Sequence, residues 1–153
     1  MSSIVALGLT TAILCGAWTW AAGIIGFLGW AGFSGCTSYF ACPDKGLKGV
    51  ISCICCTMSG VAYAMISIKL GGILTFPFAS IIVTIVATYL MCVQNKVKLL
   101  SYIPGTFFGS FSTFAANGDP MIIPSILCGI ILGLACDKSG QWLFKVAGKK
   151  EEN

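Results

Sequence analysis

The chain has no histidine and no arginine. Without histidine it lacks the commonest general base, metal ligand and proton relay. Without arginine, and with lysines scattered rather than striped, it lacks the electrostatic footprint of a nucleic-acid binder. Charge of either sign is scarce: Lys, Asp and Glu make up 9% of 153 residues, where a soluble domain carries about 25%. Nine lysines and five acidic residues, for a net charge of +4, cannot coat a water-soluble globule of this length. Disorder is excluded by the same numbers, since 57% of the residues are hydrophobic and the mean hydropathy is +0.93. What remains is a polytopic membrane protein.

Crossing about 30 Å of hydrocarbon takes roughly 20 helical residues. Residues 1–43 carry no charge, which is too long for one span and suits a hairpin. Trp favours the headgroup interface, so the hairpin break is predicted at Trp18–Gly23. Charge-free stretches bounded by Lys or Asp then give six predicted helices, at 4–20, 24–42, 47–68, 72–93, 99–116 and 120–136. A β-barrel would need alternation over about 10 residues, and Ile81-Ile82-Val83 and Ile130-Ile131-Leu132 do not alternate. The fold class expected is an all-α membrane protein. No charged n-region or cleavage site marks the first apolar run as a signal peptide, so it is expected to persist as the first span. Pro104 and Pro120 read as first-turn residues, and Pro77 and Pro124 as candidate kinks.

With the N-terminus placed in the cytoplasm, eight lysines fall on that side: Lys45, Lys48, Lys96, Lys98, Lys138, Lys145, Lys149 and Lys150. Only Lys69 falls opposite. Such a split over short loops predicts both termini in the cytoplasm. In the tail, Gln141–Lys145 reads as a short interfacial helix or a frayed end.

Phe33–Ala41 and Phe107–Ala115 share the pattern F-x-G-x-x-S-x-F-A at an offset of 74 residues. The pattern sits on predicted helices 2 and 5, with the following loops in register; helices 3 and 6 align poorly. A repeat of three spans is odd, so its second copy enters from the opposite side. The expected organisation is therefore two inverted three-helix repeats, 1–69 and 70–137, followed by a cytoplasmic tail at 138–153. In such folds the site lies near the midplane where the halves meet. The candidate pore or substrate residues are accordingly Phe33, Gly35, Thr37, Ser38, Phe40, Phe107, Gly109, Ser112, Thr113 and Phe114. Plain helix packing explains small-residue patterns about as well.

Gly23, Gly26, Gly29 and Gly32 continue to Gly35 at every third residue. On one helix they make a small-residue ridge, here expected to support a homo-oligomer. Nine cysteines include the mid-span Cys53-Ile54-Cys55-Cys56. That C-x-x-C has no second pair, histidine or carboxylate beside it, so it reads as packing, and no metal or cofactor is expected. No charge lies deep in any span, which disfavours a coupled transporter and favours passive flow. No residue arrangement suggests an enzyme.

The blocks Trp30–Gly49 and Pro104–Asp119, with Ser139–Leu143, resemble the YcdZ-type small bacterial inner-membrane proteins, a family of unknown function. The resemblance implies a bacterial cytoplasmic membrane, and it transfers no activity, cofactor or site residue. The partners expected are the lipid bilayer, a small uncharged solute and further copies of the chain. The residues themselves favour a passive channel or facilitator for a small neutral or weakly polar solute. The alternative is a non-transporting assembly or regulatory subunit of the membrane.

Overall fold

The computed structural model describes residues 2–148. It is all-helical across them, with α1 at Ser3–Ile25, α2 at Gly29–Ala41, α3 at Gly46–Ile73, α4 at Ala79–Val93, α5 at Ile103–Ala115 and α6 at Ile122–Gly148. Short 3-10 turns at Gln94–Lys96 and Lys98–Leu100 join α4 to α5. Among the described residues, four helical segments are long and apolar enough to cross a membrane: Ser3–Ile25, Gly46–Ile73, Ala79–Lys96 and Ile122–Ala147. With its apolar composition, this is the architecture of an all-α membrane protein.

The predicted break at Trp18–Gly23 falls instead at Gly26–Leu28. Gly26 adopts φ +84 and caps α1, with the Gly26 and Phe27 N–H groups both donating to the Ala22 carbonyl. The Trp18 indole N–H donates to the Gly29 carbonyl at 2.9 Å, and its ring lies over Gly32, so it ties α1 to the start of α2.

α2 and α5 differ most from expectation. Each has 13 residues, about 20 Å of helix, against about 30 Å of hydrocarbon. The segments predicted at 24–42 and 99–116 are therefore helical only in part. Pro77 kinks no helix, because it stands in the link before α4; Pro104 and Pro124 sit in the first turns of α5 and α6. Gln141–Lys145 is neither a separate helix nor frayed, since α6 runs through it to Gly148. Lys149 and Lys150 lie outside the described residues.

The pairing of helices is crossed. α2 packs chiefly on α6, and α5 chiefly on α3, with α1 against α6 and α4 more lightly against α3. The core is built of Ala31, Tyr39, Cys53, Cys56, Ile122, Ile126 and Ile130. Several polar links gather at one end of the bundle. The Tyr39 hydroxyl donates to Asp137 Oδ2 at 3.0 Å and accepts the Gly46 N–H at 2.9 Å. Lys45 Nζ donates to the Phe40 carbonyl at the end of α2, at 2.8 Å. Lys48 and Lys98 line one groove there, and Ser3 lines another with Asp137. Lys69 belongs to the other end, where Ile68 touches Gly118.

Candidate functional site

The duplicated motif divides by helix face. Gly35, Ser38, Gly109, Ser112 and Thr113 are buried, whereas Phe33, Thr37, Phe107 and Phe114 are exposed and Phe40 is half-buried. Positions 33, 37 and 40 recur on one side of α2, and 107, 111 and 114 on one side of α5, as a 3.6-residue period requires. Phe33 is 39% exposed, Phe107 43% and Phe114 52%, so these rings do not flank the buried serines. An open apolar groove of about 420 Å³ on α5, lined by Ile103, Pro104, Phe107, Phe108 and Phe111, confirms that the aromatic face looks outward.

The buried face allows the closest backbone contacts in the structure. A Cβ on Gly35 would overlap the Ile126 carbonyl of α6, and one on Gly109 the Thr57 carbonyl of α3. In return, a Cβ on Gly129 would overlap the Gly32 carbonyl, and one on Gly60 the Thr106 carbonyl. The two contact sets match residue for residue. Gly35 and Gly109, and Gly32 and Thr106, are 74 apart; Ile126 and Thr57, and Gly129 and Gly60, are 69 apart.

The glycine series does not form one ridge, because the break at Gly26 separates α1 from α2. Gly32 is covered by Trp18 and Gly129, and Gly35 by α6; a Cβ on Gly29 would stand 3.8 Å from the Ala22 Cβ. A Cβ on Gly23 or Gly26 would meet nothing within 4 Å. The helix-to-helix contacts of this series are therefore made within the chain, by Gly29, Gly32 and Gly35.

A seam of hydroxyls runs between the short helices and α3. Ser34 Oγ and Ser112 Oγ share a hydrogen bond at 2.7 Å. By the 74-residue offset, Phe108 stands where Ser34 stands and Ser112 where Ser38 stands. The equivalent of the Ser34–Ser112 pair is thus Phe108 with Ser38, and the fully buried Ser38 Oγ has no hydrogen-bond partner among the described residues. The Ser38 carbonyl is well served, by the Tyr102 hydroxyl at 2.9 Å and the Cys53 thiol at 3.4 Å. Further along, Gln94 Nε2 donates to Thr106 Oγ1, which lies 3.4 Å from Ser59 Oγ. Gln94 Oε1 is buried and unpartnered among the described residues. Thr113 and Thr37 turn their hydroxyls to their own helices, on Gly109 and Phe33 carbonyls at 2.8 Å. Sequence reasoning missed Gln94, whose position beside Asn95 and Lys96 reads as a loop.

Five of the nine thiols fall into two groups. Cys53 and Cys56 are buried and donate to carbonyls, Cys56 to that of Leu99 at 3.7 Å. Cys15 of α1, Cys36 of α2 and Cys136 of α6 bring their sulfurs within 4.8 Å of one another. The Thr11 hydroxyl lies beside Cys136.

The family described as "Protein of unknown function (DUF1097)" matches residues 8–141. The chain is 42% identical to inner membrane protein YcdZ of Salmonella typhimurium strain LT2, over 100% of this chain and 95% of that protein. It is 44% identical to inner membrane protein YcdZ of Escherichia coli strain K12, over 97% and 93% respectively. To uncharacterized protein YahC of Escherichia coli K12 it is 27% identical over 99% of both chains. No solved structure matches. The expected kinship with YcdZ-type proteins therefore holds along the whole chain, and the chain belongs to the DUF1097 family.

Proposed function

We propose that the chain makes six passes of the bacterial cytoplasmic membrane as two inverted three-helix repeats, and offers a small neutral or weakly polar solute a passive route across. Matched contacts at offsets of 74 and 69 residues support the repeat. The change of offset between helices accounts for the poor alignment of α3 with α6. α2 and α5 complete their passes through the short turns and 3-10 residues that flank them, and such non-helical backbone is tolerated at membrane depth only inside protein. The Leu28 N–H accordingly donates to Ser125 Oγ at 2.9 Å, and Tyr102 is buried before α5. The lysine split and the gathering of Lys48, Lys98, Ser3 and Asp137 at one end support cytoplasmic termini.

The observation that carries the functional reading is the unpartnered Ser38 hydroxyl, with Gln94 Oε1, in an uncharged seam. An unsatisfied buried polar group costs about 1–3 kcal/mol. A water or small polar solute in the seam recovers that cost and exchanges hydration for hydroxyls, as a selective path requires. The outward Phe33, Phe107 and Phe114 leave selection to the seam unless copies of the chain meet across them. Purified protein in liposomes should accelerate swelling with at least one of water, urea, glycerol or a short alcohol. Ser38→Ala with Ser112→Ala should lower that flux with expression unchanged. No acceleration across the panel removes the facilitator reading.

One observation favours the second reading, a non-transporting membrane subunit: the glycine contacts at Gly35 and Gly109 bring backbones together in the core and leave little room there. Homo-oligomerisation is part of both readings, through the open Gly23 and Gly26. A native mass in mild detergent showing monomer alone would refute it.

A further inference from the structure

The three-thiol cluster is the feature that neither reading uses. Cys15, Cys36 and Cys136 come from three helices, and their sulfurs converge within 4.8 Å. Cys36 and Cys136 are buried, and Cys15 is half-buried. A metal–sulfur bond of about 2.3 Å puts the sulfurs of a trigonal site about 4 Å apart. The observed separations, all within 4.8 Å, lie close to that spacing. Half-buried Thr11 of α1 adds a hydroxyl beside the cluster. Its hydroxyl oxygen is buried without a hydrogen-bond partner among the described residues, and it stands beside Cys136.

We propose that Cys15, Cys36 and Cys136 form a trigonal all-sulfur site for a soft monovalent d10 cation, of which Cu(I) is the physiological type. All-sulfur donation selects soft ions. Zinc is disfavoured, because its structural sites take four ligands and this cluster offers three, with no histidine in the chain. Charge points the same way. Each thiol that becomes a thiolate releases one proton, so Cu(I) with two thiolates and one retained thiol leaves a net charge of −1. A divalent ion with three thiolates reaches the same charge only by ionising every sulfur away from water. The Thr11 hydroxyl is placed to donate to the Cys136 thiolate and stabilise it. Cys136 is followed by Asp137, which lines an open groove of about 290 Å³ with Ser3, Leu7 and Gly140. That groove gives an ion an approach from the polar end of the bundle.

The test uses the full chain in mild detergent, reduced and anaerobic, titrated with Cu(I) supplied as its acetonitrile complex against a competing chelator. The expected result is one Cu(I) per chain, near-ultraviolet thiolate-to-copper absorption, and an X-ray absorption shell of three sulfurs at about 2.3 Å. Cys36→Ser or Cys136→Ser should abolish this binding, and Thr11→Val should weaken it by about 10-fold. Cys92→Ser, at an exposed site away from the cluster, should leave it unchanged. Wild-type protein provides a readout independent of variant folding: bound Cu(I) should slow maleimide labelling of Cys15 but not of Cys92. The proposal is overturned by no stoichiometric uptake, by uptake that survives the cluster substitutions, or by unslowed labelling of Cys15 in copper-loaded protein.

Discussion

Adding one methyl group at Gly35 or Gly109 tests the packing on which the fold rests. In both places the new Cβ meets backbone of a facing helix, the Ile126 carbonyl or the Thr57 carbonyl. A side chain in the way could turn aside, but a backbone carbonyl cannot, so the helices must part. Overpacking a core costs about 1–3 kcal/mol, and a fixed obstacle puts these sites at about 3 kcal/mol or above. Against this, Gly→Ala inside a helix gains about 1 kcal/mol. The net expectation for Gly35→Ala and for Gly109→Ala is a loss of about 2 kcal/mol each, and at this chain length about 4–8 °C in Tm. Gly8, Gly16 and Gly71 have nothing within 4 Å of a new Cβ. Alanine there should be neutral or stabilising, by up to about 1 kcal/mol. Thermal unfolding in detergent, followed by light scattering and size-exclusion recovery, reads the difference. The reasoning fails if Gly35→Ala and Gly109→Ala unfold with the Gly16→Ala control. It fails in a narrower way if one is severely destabilised and the other is not, since their contacts match.

A C-terminal alkaline-phosphatase fusion should be inactive and a C-terminal fluorescent fusion bright; the reverse would overturn the six-pass topology. Tyr39→Phe removes the hydroxyl that joins Asp137 to the Gly46 N–H, and should cost about 0.5–1.5 kcal/mol in the same unfolding assay, because two half-buried partners lose a hydrogen bond. Wild-type stability at Tyr39→Phe would show that solvent replaces the bond. Trp18→Phe keeps most of the ring over Gly32 but loses the indole bond to Gly29; a loss of about 0.5–1.5 kcal/mol is expected, and a loss as large as that of Gly35→Ala would contradict it.

Helix number and approximate place were legible because charge is so scarce that each Lys or Asp marks a boundary. The motif alone marked Gly35 and Gly109, which both meet backbone of a facing helix. Which face of the motif is buried was not. In a soluble helix, apolar positions mark the interior, but lipid rewards Phe33, Phe107 and Phe114 on the outside just as well. The interior went to glycine and serine, which allow backbones to approach. The first break was misplaced because two tryptophans suggested an interface, while Gly26 gave the stop. Gln94 was hidden by its charged neighbours. Cys15, Cys36 and Cys136 have no common spacing, so only the convergence of α1, α2 and α6 brings them together.

The crossed pairing has a consequence for how the chain is made. α2 finds its main partner in α6, the last helix to leave the ribosome, and α5 finds its own in α3. The first three helices alone therefore lack the main contact of α2. That helix, 13 residues long and carrying buried Ser38, gains its chief partner only when α6 is made. The Trp18 bond to Gly29 can hold that early hairpin together in the interval. The two halves behave as interlocked hands, neither of which is a fist without the other. The α2–α6 contact can therefore form only after α6 has been made.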